Sequence, residues 1–213
     1  ADCNGDGIVD YGQILDGTFN DDNGNGIPDC CDLGIPCATE WGVEEGGNGH
    51  WYAYVSGDCD DSTSAEELIA AAEALGGHLV TFADESEWDF VRLSYGGLRL
   101  GDPCVADWFL GLTSSPGSYD WHWVTGEPVV FDAWGTAACG AGPYPNNAPS
   151  STLAYTSNRS DCGQVCDDGV VGSVSRNLMV EFSADCNGDG VVDYGQILSG
   201  ELSDLDGDGV PDI

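Results

Sequence analysis

The hydrophobic pattern changes character along the chain. The short apolar run Trp-Tyr-Ala-Tyr-Val at 51–55 predicts a strand. The segment Ser-Ala-Glu-Glu-Leu-Ile-Ala-Ala-Ala-Glu that begins at Ser64 predicts a helix. Ser64 opens it as the N-cap, and Glu67, three residues on, completes a capping box. Gly76 and Gly77 stop it, a strand from His78 to Phe82 follows, and a second short helix runs from about Asp84 to Tyr95. Beyond it come short Trp-rich strands separated by Gly, Pro and Ser turns. Helices early and strands late predict an α+β fold.

Both ends have a different texture, dominated by Asp, Asn and Gly, and they repeat one another. Asp-Cys-Asn-Gly-Asp-Gly-Ile-Val-Asp-Tyr-Gly-Gln-Ile-Leu-Asp-Gly at 2–17 recurs at 185–200 with two changes, Ile8 to Val191 and Asp16 to Ser199. The match continues without a gap, Asn25 to Asp29 facing Asp208 to Asp212. This divides the chain into a repeat pair at 1–37, a linker at 38–48, a central module at 49–183 and a second repeat at 184–213.

Each repeat carries oxygen-bearing side chains at every second position. A loop that wraps a hard cation places oxygen ligands at positions 1, 3, 5, 9 and 12 and a backbone carbonyl at 7, with Gly at 6 for the sharp turn. The first loop gives Asp2, Asn4, Asp6, Ile8, Asp10 and Gln13; the second gives Asp21, Asn23, Asn25, Ile27, Asp29 and Asp32. The third gives Asp185, Asn187, Asp189, Val191, Asp193 and Gln196. The fourth gives Asp204, Asp206, Asp208, Val210 and Asp212, and the sequence stops at Ile213 before position 12. Asp/Asn-Gly turns form without metal, but the common period-two spacing of four loops points to calcium. Neutral Gln at position 12 of loops one and three weakens those two sites.

Composition adds partners to exclude. The formal charge is -34, from 38 acidic residues against four Arg and no Lys, so nucleic acid is not expected, and no apolar run approaches the length of a membrane span, so membrane insertion is not expected. Divalent cations would relieve the self-repulsion. Ten cysteines without zinc-type CxxC pairs predict disulfides and an extracellular or cell-surface location. The absence of a leader before Ala1 reads as a processed or excised form. His50, His78 and His122 lie in no metal-ligand spacing, there is no nucleophile elbow, and no enzyme is expected. Asn158-Arg159-Ser160 is a glycosylation sequon that marks a surface loop.

Two resemblances follow from these motifs. The paired terminal loops resemble dockerin-type calcium repeats, with Tyr-Gly-Gln-Ile-Leu as a stub of the following helix and Pro28 or Pro211 inside the second loop of each pair. The central module resembles a bacterial C-type lectin-like domain. The resemblance rests on Gly-His-Trp-Tyr-Ala-Tyr-Val, the Ser64 helix, Glu-Ser-Glu-Trp-Asp-Phe, Trp108 to Leu112, Trp121 to Trp134, Pro145-Asn146-Asn147 and the closing Val180 to Phe182. It implies two helices, short antiparallel strands and a long loop region. It also implies a sugar-chelating calcium in that loop, with Asn146, Asp167 and Asp168 as the matching oxygens; Tyr144 stands where the family has Glu. Trp108, Trp121, Trp123 and Trp134 match core landmarks, and Trp88 is left open between core and platform. The family's helix-to-last-strand disulfide is replaced by Ala71 or Ala72 and Met179.

Three functions are consistent with this reading. The leading one is a calcium-binding subunit of an extracellular fibre, adhesin or surface array that self-associates head to tail through its calcium loops. The alternative is a calcium-dependent carbohydrate-binding lectin module with a glycan or cell-surface partner. The third is a dockerin-bearing accessory of a polysaccharide-degrading complex.

Overall fold

The computed structural model describes residues 2–3, 8–55, 57, 64–95, 108–115, 118, 120–131, 134, 145, 153–157, 164–166 and 177–212. In chain order the helices are α1 (Asp10–Asp16), α2 (Asp29–Leu33), α3 (Ala65–Glu73), α4 (Glu85–Tyr95) and α5 (Asp193–Leu198). The strands are β1 (Thr39–Glu40), β2 (Trp51–Val55), β3 (His78–Leu79), β4 (Phe109–Thr113), β5 (His122–Trp123), β6 (Leu153–Ser157), β7 (Gln164–Cys166) and β8 (Leu178–Phe182). They form one mixed sheet in the order β1-β2-β8-β4-β6-β7, with β3 also on β8 and β5 also on β4. Every pair is antiparallel except β4 with β8. The arrangement is α+β, with the two longer helices and the antiparallel-rich sheet of the sequence reading.

Alternation along β2 and β8 assigns their side chains to two faces. Ala53, Leu178, Val180 and Phe182 join Ala65, Leu68 and Ala72 of α3 on one face. Tyr52, Tyr54 and Met179 join Trp88 and Val91 of α4, with Trp108 and Trp123, on the other. Both faces are therefore covered, which is why β2 is apolar at every position. Trp88 is a core residue, edge-on to Phe82 with ring centroids 5.1 Å apart. Trp108 and Trp123 are buried too, while Trp121 and Trp134 are partly buried and pack edge to face at 5.1 Å.

Local rules account for α3. Ser64 accepts the Glu67 N–H and the Glu67 carboxylate accepts the Ser64 N–H, so the capping box forms in both directions. The strand expected over 78–82 is shorter, because the Thr81 N–H goes to the Glu181 carboxylate at 2.9 Å instead of to a strand partner. Thr39 and Glu40, inside the segment read as linker, pair with Tyr52 and Trp51.

The two ends of the chain meet on the α3 face. Phe19, Cys30, Ile35 and Cys37 from the first repeat share one apolar cluster with Tyr194 and Ile197 from the second. The Tyr194 ring stacks on Phe182 at 4.4 Å and tilts against Trp51 at 5.3 Å, and its hydroxyl donates to the Pro36 carbonyl. A Cβ at Gly195 would lie 3.1 Å from the Trp51 indole, so α5 sits directly on that ring. Cys3–Cys31 and Cys30–Cys37 staple the first repeat. Cys186, the counterpart of Cys3, is free and exposed.

Candidate calcium loops and ligand-binding site

The second loop is built by side chains folding back onto their own backbone. Asp21 at position 1 accepts the N–H groups of Asn25 at 3.0 Å and Gly26 at 2.9 Å. Asn23 accepts the Asn25 N–H and Asn25 accepts the Ile27 N–H. Position 12 arrives from α2: the Asp32 carboxylate takes the Asn23 amide at 2.8 Å and the Asn25 amide at 2.7 Å. Residues 3, 5 and 12 of the loop thereby meet across nine positions of sequence, with Gly26 in the left-handed region (φ 82°) making the turn.

The third loop repeats this construction. Asp185 accepts from Gly188, Asp189 and Gly190, Asn187 from Asp189, and Asp189 from Val191. Gln196 bridges Asn187 at 3.2 Å and Asp189 at 2.7 Å, replacing Asp32 with a neutral amide. The Gln196 amide, with the Val191 N–H behind it, holds the Asp189 carboxyl below its usual range. In the fourth loop Asp204 accepts from Gly207 and Gly209, and Asp208 from Val210. Oxygens of Asp204, Asp206 and Asp208 lie within 4.8 Å of one another. Asp208 crowds Asp206 and raises its pKa, with Asp212 and Asp204 adding to the effect.

Position 9 does something the spacing alone does not reveal. In every loop its carboxylate reaches back to the N–H of position 2: Asp10 to Cys3, Asp29 to Asp22, Asp193 to Cys186 and Asp212 to Leu205. It closes the loop at its base. Asp10 and Asp193 are buried there at 1% exposure each. For Asp193 Oδ2 is used in this way, at 2.8 Å, the Cys186 thiol also hydrogen-bonds the carboxylate, and Oδ1 is buried with no N–H or O–H donor. Asn4 and Asp6 lie outside the described residues, as do Asn146, Asp167, Asp168 and Asn158.

A buried polar cluster escaped the sequence reading. Glu87 on α4 accepts the Tyr52 hydroxyl at 2.5 Å, the Asn48 amide at 2.8 Å and the Ala83 N–H at 2.7 Å. Glu181 on β8 pairs with His50 at 2.7 Å and accepts the Thr81 N–H and hydroxyl. Each carboxylate oxygen already has a partner, and the cluster braces α4 to the sheet. Burial raises the Glu87 pKa, against the pull of its Tyr52 and Ala83 hydrogen bonds. Burial would lower the His50 pKa, but the Glu181 hydrogen bond and the charges of Glu181, Glu87 and Glu127 outweigh it and raise it. Partners 39 and 131 residues distant leave no local signal. His78 is held by the Leu79 carbonyl and the Ser183 hydroxyl, a structural placement.

No family model matches the chain, and no curated protein does. Solved C-type lectin-like domains are similar to it in shape. One is the cow C-type carbohydrate-recognition domain of CD23, at 17% identity over 65% of this chain and 91% of that one, TM-score 0.48. Another is the mouse scavenger receptor C-type lectin carbohydrate-recognition domain, at 21% identity over 65% and 91%, TM-score 0.48. A third is herring type II antifreeze protein, at 13% identity over 65% and 94%, TM-score 0.49.

Proposed function

We propose that the chain is a secreted, calcium-dependent carbohydrate-binding module of C-type lectin-like build, whose terminal loops take calcium and hold both ends on the sheet. The observation that carries the calcium reading is Asp193, whose Oδ1 is buried without an N–H or O–H donor while Oδ2 closes the loop. A buried carboxylate oxygen left over in a ring of Asp and Asn oxygens suits a hard cation. Asp21, Asn23, Asn25 and Asp32 would hold calcium in loop two, Asp185, Asn187, Asp189 and Asp193 in loop three, and Asp204, Asp206 and Asp208 in loop four. The ion supplies positive charge to a chain of net charge -34. Disulfides in the first repeat support an extracellular setting, and no helix among the described residues is long and apolar enough to cross a membrane.

The carbohydrate reading is supported by the order of the lectin-like motifs, with Asn146, Asp167 and Asp168 as the oxygens of the long loop. A panel of immobilised glycans, probed with and without chelator, tests it. Binding that needs calcium and is lost in Asn146→Ala and Asp168→Ala is the expected result; binding indifferent to both substitutions places recognition elsewhere.

One observation favours a second reading, a subunit of an extracellular fibre or array. The α1 segment has the same Asp-Tyr-Gly-Gln-Ile-Leu sequence as α5, yet leaves Tyr11 58% and Leu15 70% exposed where α5 buries Tyr194. An apolar helix face of that kind suits head-to-tail association. Electron micrographs in calcium and in chelator test this, and a protein that stays monomeric in millimolar calcium removes it.

A further inference from the structure

We infer that the seam between the first repeat and the sheet is a binding pocket for a single neutral sugar ring, separate from the long loop. The inference rests on the carbohydrate reading above. A cavity of about 280 Å³ opens where the 17–20 turn, the start of α2, β1, β2 and α5 meet. It falls just under the roughly 300–1,000 Å³ of pockets for drug-sized ligands, which suits one pyranose ring.

Its chemistry is two-sided. Trp51, Phe19, Ala38 and Leu198 supply apolar surface. Thr18, Asn20, Thr39 and Glu40 add hydroxyl, amide and carboxylate groups to the lining, and Asn20 and Glu40 are solvent-exposed. A sugar ring has a matching division, a flat face of C–H groups and an edge of hydroxyls that donate and accept. The pocket has no Arg or His in its lining, so an anion finds no partner there. A quaternary ammonium ligand prefers a cage of several aromatic faces. Here two aromatic residues, Trp51 and Phe19, are in the lining, and Trp51 also packs against Tyr194 and Gly195, so the aromatic surface falls short of such a cage. Asp29, also in the lining, is the position-9 residue of loop two, and its N–H donates to the Asn20 carbonyl at 2.9 Å. Loop two thus adjoins one wall of the pocket.

Saturation-transfer NMR on the full chain in calcium, with glucose, galactose, mannose, N-acetylglucosamine and choline as probes, tests the assignment. Asn20→Ala and Glu40→Gln change exposed side chains, and circular dichroism checks that both variants remain folded. A neutral sugar should give transfer to the native protein, its affinity should fall roughly tenfold in each variant through the lost hydrogen bonds, and Asp168→Ala should leave this pocket's binding in place. Sugar binding lost in Asp168→Ala but kept in Asn20→Ala and Glu40→Gln overturns the seam pocket and leaves the long-loop reading standing. Choline binding in place of sugar overturns the ligand class. Transfer to none of the sugars overturns the pocket, while the glycan panel with and without chelator decides the long-loop reading separately.

Discussion

Tyr194 donates its hydroxyl hydrogen to the carbonyl of Pro36, so a residue of the second repeat closes a hydrogen bond onto the end of the first. Tyr194 is 2% exposed, and burial raises the pKa of its phenol, which stays protonated as the donor. Tyr194→Phe keeps the ring between Trp51 and Phe182 and removes only the donor. The expected cost is about 1–2 kcal/mol in urea unfolding, because the Pro36 carbonyl loses its partner. Tyr11→Phe, at the equivalent exposed position, should cost nothing measurable.

The fourth loop is seated on the turn that ends α3. A Cβ at Gly209 would lie 2.4 Å from the Leu75 carbonyl oxygen, and the residue has φ 81°. Its repeat counterpart Gly26 has φ 82° with nothing within 4 Å. Gly26→Ala therefore incurs backbone strain alone, about 1 kcal/mol. Gly209→Ala adds a backbone clash and should cost about 2–4 kcal/mol or release the loop from the turn. Thermal unfolding of the two variants side by side, with hydrogen exchange at Val210, checks the difference.

Much of this architecture was legible in the sequence. Helix α3 follows from Ser64, Glu67 and the glycines at its end, because capping is local chemistry. The loops follow from period-two oxygens. The different fates of α1 and α5 do not, since the two segments share one sequence and differ only in what the rest of the chain brings to them. Trp51 and Phe182 meet Tyr194 through the β2–β8 pairing, a tertiary fact. Trp88 was open for the same reason: its place was set by Phe82 and Trp108 across the face of the sheet. Glu87 lay hidden in an acidic helical segment whose partners come from other elements.

Protonation of His50 and of Glu87 should favour the folded state. The folded pKa of His50 is raised above 6.5, so its contribution is complete below that pH and is lost as pH rises through the folded value. Glu87, raised above 4.5, acts in the same direction as pH rises from its ordinary range. In chelator, at fixed ionic strength, unfolding should become easier between pH 6 and pH 8. The slope should shrink in His50→Gln. An unchanged slope in that variant contradicts the assignment.

Calcium affinity should run the opposite way with pH at loop four. Asp208 raises the pKa of Asp206, so protons compete with the ion there as pH falls. At loop three the neutral Gln196 stands where loop two has Asp32. Gln196→Glu should tighten calcium binding at that loop by adding a charged ligand, and calorimetric titration of the two proteins reads the change.

The proposed calcium sites in the terminal loops are tested most directly by anomalous diffraction from crystals grown in millimolar calcium. Anomalous peaks are expected inside loops two, three and four, with side-chain oxygens of Asp21, Asp185 and Asp204 about 2.3–2.6 Å from the ions. Ordered loops without such peaks would contradict the proposed sites.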